Sequence, residues 1–255
     1  MKIELHKVTW YSKLFAVILF VGIFYLGFYL GMQNQSALDE YEKINAEINK
    51  SAAYVPFNQE IKQEKNENYT AEYPVFSGSD AIVSIGNTWV KNVLNDFALE
   101  ANTDVPQMRA DFGADSPTAK YNIVIKGTKE EHPKAQTLVL SIYTYTGGAN
   151  GTENYYTITV DKSGKLLTLN DVIQAEKQDD FVKLVKETTS KYDFGDSGLS
   201  VFPEAVGVIS MDSLNNWAMT KDGLKIYFSE YEVAPGAAGA ISILIPEAQI
   251  KDYLR

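Results

Sequence analysis

Two glutamates that flank a tyrosine, Glu230 and Glu232, are the residues of this sequence whose type and spacing could support acid–base chemistry. Residues two apart on a strand point to the same side of a sheet, so the pattern predicts two neighbouring carboxylates. Retaining glycosidases use two carboxyl groups about 5–5.5 Å apart, and a hydrolase that uses carboxylates alone is therefore one hypothesis. Acidic pairs at this spacing are also common, and solvated strand ends or contacts to a bound partner explain the same two residues.

Other catalytic groups are scarce. The sequence has no cysteine and only two histidines, His6 and His132. The lack of cysteine excludes disulfides, thiolate nucleophiles and cysteine-ligated zinc. A Ser-His-Asp triad or a multi-histidine metal site would depend on His132, which lies in a predicted turn. We therefore expect no metal, no cofactor and no enzymatic activity. The 23 basic and 33 acidic residues give a net charge of −10, which disfavours binding to nucleic acid.

Two loops of small residues are the other candidates for a functional site. Residues 234–239 (APGAAG) separate two predicted strands, and residues 147–151 (GGANG) follow a third. Such loops offer little side chain, so their value lies in a backbone path that proline fixes and glycine frees. A backbone of this kind can enter the cleft of a partner closely. The predicted partner-binding residues are Gly147, Gly148, Ala149, Asn150, Glu230, Tyr231, Glu232, Pro235 and Gly236.

The elements that position these loops are predicted from hydrophobic periodicity. Apolar residues recur every three or four positions from Ile82 to Phe97, which indicates an amphipathic helix that ends near Glu100, followed by an irregular segment over 102–117. A second helix is predicted over 179–192, and Pro246 suits the first position of a short closing helix. Alternating patterns predict strands at 69–76, 121–125, 138–145, 155–160, 206–211, 216–220, 224–229 and 241–245.

The predicted fold class is α+β. It consists of an N-terminal transmembrane helix and stalk, and then antiparallel sheets in two groups, each covered by a helix. The folded domain is expected over residues 69–255, with sub-parts at about 69–165 and 166–255.

The N-terminal region contains a candidate membrane anchor. Residues 14–32, from Leu14 to Met32, are uncharged and mostly apolar, long enough to cross most of a hydrocarbon core of about 30 Å. A cleaved signal peptide is the alternative, but its apolar region is normally about 7–15 residues. Lysines precede the segment and acidic residues follow it, which places the N-terminus in the cytoplasm. We predict a cytoplasmic tail (1–13), a single span in the lipid bilayer, a polar stalk (33–68) and an extracytoplasmic domain at the cell membrane.

The predicted membrane helix also carries Gly27 and Gly31, a small-xxx-small pattern that supports helix dimers. A weak homodimer through these glycines, and with it a structural role in envelope assembly, is a further hypothesis.

Four motifs together resemble one exported domain family. They are Glu-Tyr-Pro at 72–74 before a long helix, Gly-Gly-Ala-Asn at 147–150 after a strand, Thr-Leu-Asn-Asp-Val-Ile at 168–173, and Tyr-Glu-Val-Ala-Pro-Gly-Ala-Ala-Gly at 231–239. The region from Tyr69 to Leu254 resembles the RsiV-like domain of the lysozyme-sensing anti-sigma-V factor, which is also the N-terminal module of PdaC-type peptidoglycan deacetylases. Where this chain has Asn150 and Gly236, the family commonly has histidine and an aromatic residue. The lysozyme-sensing anti-sigma factor carries a cytoplasmic sigma-binding segment of several dozen residues, so we expect residues 1–13 to be too short for that role.

The resemblance implies a membrane-anchored, non-enzymatic recognition or sensor domain that binds a cell-envelope partner such as lysozyme or peptidoglycan fragments. An acidic surface would attract a cationic protein such as lysozyme at long range. A carboxylate-dependent cell-wall glycan hydrolase and a structural envelope protein remain the alternatives.

Overall fold

The computed structural model describes residues 55–113, Ser116 and 119–255. The predicted membrane segment, with Gly27 and Gly31, and most of the predicted stalk lie outside these residues. Within the described part of the chain, no helix has the length and the apolar character needed to span a bilayer.

The larger of two sheets has five strands in the order β1-β2-β3-β4-β5. They are β1 (Asn58–Lys65), β2 (Tyr69–Ser77), β3 (Tyr121–His132), β4 (Ala135–Tyr145) and β5 (Thr152–Asp161). Every neighbouring pair is antiparallel except β2 and β3, which are parallel and are connected through a helix. The prediction that both sheets are antiparallel is therefore wrong for this pair, because a crossover helix returns the chain in the same direction. The predicted antiparallel succession of β3, β4 and β5 is confirmed, because short turns join strands of matching length.

The helix α1 (Ala81–Phe112) packs along one face of this sheet. Gly86 allows the close approach, since a Cβ at this position would overlap the side chain of Leu138 in β4. Trp89 is only half-buried, and its ring stacks on that of Tyr156 with centroids 4.3 Å apart. The buried side of α1 comprises Ile82, Val83, Ile85, Gly86, Val90, Phe97, Ala101 and Val105.

The predicted end of this helix near Glu100 is wrong, because α1 continues to Phe112. Tertiary contacts outweigh the local breaking signals: the Arg109 guanidinium donates to Asn68 Oδ1 at 3.0 Å and also to the carbonyl of Glu67, which fastens the last turns to the β1–β2 connection. Two buried residues continue the apolar stripe here, Ala101 and Val105.

The smaller sheet has three antiparallel strands in the order β6-β7-β8. They are β6 (Trp217–Thr220), β7 (Gly223–Phe228) and β8 (Ile241–Pro246). The further helices of the described residues are α2 (Leu169–Val172), α3 (Gln178–Ser190), α4 (Pro203–Gly207) and α5 (Glu247–Ile250). Phe181 and Val185 of α3 are fully buried in the same core as Leu224 and Ile226 of β7. The α+β class with two sheets is therefore confirmed for the described residues.

The strand predicted over residues 206–211 is wrong. This segment contains the end of α4 and the start of a 3-10 turn, Met211–Ser213. Pro203 opens α4 at its first turn, where a missing N–H costs nothing. Ser210 and Ser213 then form reciprocal side-chain caps around the 3-10 turn. Local polar signals therefore outweigh the apolar run.

The strand β1 lies in residues that the sequence assigns to the polar stalk. All eight of its side chains are exposed, and it pairs with β2 along its whole length. The sequence lacks the alternation of apolar residues that predicts a strand here, because backbone pairing with β2, and not burial of side chains, holds β1 on the sheet. Lys62, Lys65 and Glu64 give this edge a charged character that opposes the addition of another strand.

The outer edge of β5 meets the smaller sheet through polar groups and not through strand pairing. Alternate β5 N–H groups donate to side chains of residues that directly precede β6 or follow β7. The bonds run from Glu153 N to Glu230 Oε2 (2.8 Å), from Tyr155 N to Ser229 Oγ (3.2 Å) and from Thr157 N to Asn216 Oδ1 (3.2 Å). We call these three contacts the edge ladder. They satisfy backbone donors that would otherwise lie unpaired at the junction of the two sheets.

Lys129 in β3 is a buried charge with two acidic partners. Its side chain is 7% exposed, and its Nζ lies 2.6 Å from Asp80, which precedes α1, and 2.8 Å from Glu131. The same ammonium lies 5.3 Å from the centroid of the Phe57 ring, just before β1. Burial alone lowers the pKa of Lys129, but the two carboxylates outweigh it and raise the pKa, so the charged form is present at neutral pH.

We expect Lys129→Ala to lower the free energy of unfolding by about 3 kcal/mol, because it leaves the largely buried Asp80 carboxylate without its cation. Urea unfolding measures the change. The matched control is Lys183→Ala, which removes an ion pair whose side chains are 71% and 60% exposed and should leave stability unchanged. Equal stabilities for the two variants would show that the buried ion pair between Lys129 and Asp80 does not stabilise the fold.

Candidate functional site

The two predicted loops meet at one cleft of about 500 Å³. It is lined by Tyr143, Tyr145, Ala149, Asn150, Gly151, Glu230, Tyr231, Gly236 and Ala237. We call it the tyrosine cleft. Of the residues predicted from the sequence, Ala149, Asn150, Glu230, Tyr231 and Gly236 lie in its lining, whereas Gly147, Gly148, Glu232 and Pro235 belong to the same loops but do not line it. The loops are some 80 positions apart in the sequence, and the fold brings them together.

One wall of the cleft comes from the end of β4 and the loop after it. Tyr143 and Tyr145 are two apart on the strand and therefore share a face. The Tyr145 hydroxyl donates to the carbonyl of Gly148 at 2.9 Å, and this bond closes the loop. Gly148 has a φ of 95°, which favours glycine. At Gly151 a Cβ would overlap the Tyr143 ring and a neighbouring carbonyl.

Sequence reasoning missed Tyr143 and Tyr145. The available signal was a Tyr-Thr-Tyr pattern at the end of a predicted strand, directly before a glycine-rich loop. Alternation along the strand places both tyrosine rings on the same face of the sheet. Which face of β4 lies beside the smaller sheet depends on its register with β5, and this register, which pairs Tyr143 with Glu153, is not visible in the sequence.

The opposite wall is a tight turn over residues 229–232. Glu232 N donates to the Ser229 carbonyl at 3.1 Å, and Ser229 N donates to Glu232 Oε2 at 2.7 Å. Tyr231, the third residue of this turn, has a φ of 66° and is the only residue other than glycine with positive φ among those the structure describes. Turns with positive φ at this position normally use glycine or asparagine. The backbone of Tyr231 therefore stores roughly 1–3 kcal/mol of strain.

The prediction that Glu230 and Glu232 stand together on a strand is wrong. The strand β7 ends at Phe228, and both glutamates lie in the turn. The two hydrogen bonds between Ser229 and Glu232 divert the chain before it can continue the strand. The alternation argument for two carboxylates on one face consequently does not apply.

The ring of Tyr231 lies across Gly236. A Cβ at Gly236 would overlap the far end of this ring, so the absence of a side chain leaves room for it. Gly236 begins a 3-10 turn, Gly236–Ala238, in which Ala238 N donates to the Pro235 carbonyl at 2.8 Å. The space that a side chain at position 236 would occupy is thus filled here by the ring of another residue of the same segment. Tyr231 remains 59% exposed and borders the cleft.

Glu230 connects the turn to the larger sheet. Its backbone N–H donates to the Glu153 carbonyl at 2.9 Å, and its Oε2 accepts from Glu153 N at 2.8 Å. Its second carboxylate oxygen accepts no hydrogen bond from the described residues. Burial raises the pKa of Glu232, and the hydrogen bond from Ser229 N–H opposes this shift. None of the ion pairs in the described part of the chain includes Glu230 or Glu232.

Residues with metal-binding side chains do not converge in the structure. Among residues 55–113, Ser116 and 119–255, no group of three or more His, Cys, Asp or Glu side chains could hold a metal ion. His132, predicted to lie in a turn, is the last residue of β3 and pairs with Ala135 of β4. It lies about 30 Å from the tyrosine cleft along β4, and its Nδ1 accepts from Lys134 N at 3.2 Å. Burial lowers the pKa of His132, which favours the neutral imidazole.

Comparison with known proteins identifies related sequences. Residues 156–248 match the family described as "Protein of unknown function (DUF3298)". The chain is 26% identical over 255 residues to the peptidoglycan-N-acetylmuramic acid deacetylase PdaC of Bacillus subtilis, covering 98% of this chain and 51% of the relative. The chain thus spans about half the length of this curated relative. The resemblance to a domain family shared with PdaC is confirmed.

Two solved structures share the fold. A member of the DUF3298 family from Bacteroides fragilis superposes with a TM-score of 0.56 at 16% identity, covering 79% of this chain and 94% of that chain. A DUF3298 family protein from Pseudomonas aeruginosa gives a TM-score of 0.51 at 15% identity, with the same coverage of 79% and 94%. The family match includes the turn at 229–232 but not the loop at 147–151.

The double contact between Glu230 and Glu153 makes Glu230 a structural residue as well as a lining residue. We expect Glu230→Ala to lower the free energy of unfolding by about 2 kcal/mol, because Glu153 N–H loses its acceptor. Glu230→Gln keeps an acceptor oxygen and should stay within about 0.5 kcal/mol of the parent. Thermal unfolding measures both, and amide exchange at Glu153 should accelerate in the alanine variant alone. Equal loss in both variants would show that charge, and not the hydrogen bond, is what matters.

Proposed function

We propose that this chain is a membrane-anchored, extracytoplasmic recognition domain that binds glycan fragments of the cell wall in the tyrosine cleft and does not cleave them. The observation that carries the proposal is the convergence of two distant small-residue loops on one cleft lined by three tyrosines. The predicted membrane segment and the lysines before it support the extracytoplasmic location.

The chemistry of the cleft suits a sugar. Its volume of about 500 Å³ lies within the range of small-molecule sites, about 300–1,000 Å³. Tyrosine offers a flat apolar face and a hydroxyl at low cost in conformational entropy. The faces of a hexose are partly apolar and its edges carry hydroxyl groups. The rings of Tyr143, Tyr145 and Tyr231 can therefore cover the faces, and the Asn150 amide can bond the edges.

The conformation of Tyr231 supports a role in recognition. An exposed aromatic residue at positive φ lowers the stability of the folded chain, and a glycine would relieve the strain. Such strain concentrates at ligand-binding sites, where the ring is needed in one place. The relative PdaC is named as a peptidoglycan deacetylase, which favours a cell-wall glycan as the ligand class.

A cationic protein such as lysozyme is the second candidate partner. The chain has a net charge of −10, and opposite charge increases the rate of encounter between proteins. The exposed ring of Tyr231 could then anchor a protein interface. A carboxylate hydrolase is less favoured, because the carboxylates of Glu230 and Glu232 each accept a structural hydrogen bond from a backbone N–H group.

Calorimetric titration of the full-length chain in a neutral detergent tests the proposal. The probes are purified peptidoglycan fragments, an N-acetylglucosamine tetramer and hen egg-white lysozyme. We expect saturable binding of the glycan probes without new reducing ends appearing. The absence of binding to both glycan probes would reject the glycan version, and release of reducing ends would reject the non-enzymatic one.

Tyr231→Gly separates recognition from stability. We expect the free energy of unfolding to rise by about 1 kcal/mol, because glycine accepts a φ of 66° without strain. Affinity for glycan should fall at least about tenfold with the loss of one ring wall, a decrease typical of a lost aromatic contact.

Tyr231→Phe is the matched control for this change, since it retains the ring and the backbone strain. It should keep most of the affinity and gain no stability. Unchanged glycan affinity in Tyr231→Gly would show that the Tyr231 ring does not contact the glycan.

A further inference from the structure

We propose that the tyrosine cleft selects glycans whose hexosamines carry a free, protonated amine over glycans in which the same nitrogen is acetylated. This inference rests on the proposed function and adds the charge class of the ligand. It follows from the distribution of charge, the carboxylate of Glu230 and the three aromatic rings.

The segments that build the cleft contain no basic side chain. Residues 135–152 and 233–246 carry no charged residue of either sign, in a chain in which 22% of the residues are charged. Among the residues that line the cleft, Glu230 is the one with a charged side chain. A cation that enters the cleft therefore meets a carboxylate and no lysine or arginine of the lining, whereas an anionic ligand meets a like charge.

The Glu230 carboxylate is available to such a cation. One of its oxygens accepts the Glu153 N–H at 2.8 Å, and the other accepts no hydrogen bond from the described residues. A single amide N–H does not neutralise a unit negative charge, and no ion pair among the described residues includes Glu230. An ammonium group could bond this free oxygen without displacing an existing partner, and charge-assisted bonds of this kind are roughly twice as strong as neutral ones.

The tyrosine rings favour the same ligand charge. A cation over the face of an aromatic ring gains about 0.5–2 kcal/mol, depending on how far it is desolvated. The fold uses this interaction elsewhere, because the Lys225 ammonium lies 5.2 Å from the centroid of the Tyr227 ring. Acetylation of the sugar nitrogen removes its charge. The acetylated ligand therefore loses the attraction between the cation and the rings and the charge-assisted bond to the carboxylate, while its sugar faces and hydroxyl groups are unchanged.

A matched pair of oligosaccharides tests the inference on the full-length chain. The glucosamine tetramer and the N-acetylglucosamine tetramer share one backbone and differ only in acetylation. Calorimetry at about pH 6, above the reference pKa of carboxyl groups and below that of amines, should give at least about tenfold tighter binding of the glucosamine tetramer. Equal affinity, or tighter binding of the acetylated tetramer, would overturn the inference and leave the proposed function intact. Failure of both tetramers and of peptidoglycan fragments to bind would overturn both.

Two variants separate the cleft carboxylate from the overall charge. Glu230→Gln keeps an acceptor for Glu153 N–H and should lower the affinity for the glucosamine tetramer at least about tenfold more than that for the acetylated tetramer, so that the preference for the amine is lost. The control Asp96→Asn makes the same change in net charge at an exposed position of α1 outside the cleft, and should retain the preference. Circular dichroism confirms that each variant is folded. If Glu230→Gln retains the preference, or Asp96→Asn loses it, the selectivity is a property of the whole surface and the inference is wrong.

A lysine tripeptide in the same titration distinguishes a sugar amine from a cationic protein side chain. We expect it to bind at least about tenfold more weakly than the glucosamine tetramer, because it offers no sugar ring to the tyrosine faces. Tighter binding of the tripeptide would identify the ligand as a protein and overturn the inference.

Discussion

The architecture depends on satisfying the outer edge of β5. A strand at the edge of a sheet leaves alternate N–H groups unpaired, and burying them without acceptors would be costly. The edge ladder supplies acceptors from Ser229, Glu230 and Asn216. Because Ser229 and Glu230 directly follow the end of β7, the same contacts that join the sheets also fix the turn at 229–232 beside the β4–β5 loop. The tyrosine cleft thus forms where the two sheets are joined.

The cleft is shaped by pairs of glycine and tyrosine. Gly151 leaves room for the ring of Tyr143, and Gly236 leaves room for the ring of Tyr231. Each ring lies against a backbone that has no side chain, and its other side can face a ligand. The small-residue loops therefore contribute to recognition indirectly: they determine where aromatic groups from neighbouring positions can lie. An aromatic side chain at position 236 would compete with Tyr231 for the same space.

Much of the secondary structure was predictable from the sequence, because the alternation in β4, β5 and β7 and the apolar stripe of α3 follow directly from burial. The second half of α1 was not, since tertiary contacts stabilise it, among them the bond between Arg109 and Asn68, which are far apart in the sequence. β1 was missed because none of its side chains is buried. Both loops of the site were predicted as binding loops. That they form one cleft was not, because the edge ladder that brings them together joins residues far apart in the sequence. The turn at Tyr231 was unpredictable because tyrosine is a poor residue for positive φ.

The contacts around Phe57 have a mechanical consequence. β1 and β2 form a hairpin that is closed at Lys65 and open at Asn58, so tension applied at Val55 would separate its hydrogen bonds one after another from the open end. Val55 and Ser79 are joined there by two hydrogen bonds, of 2.8 and 2.9 Å, and Lys129 covers the Phe57 ring. These contacts bear the load before any strand pair does. They would therefore resist the separation of the first strand, which lies at the opposite edge of the sheet from β5 and the tyrosine cleft.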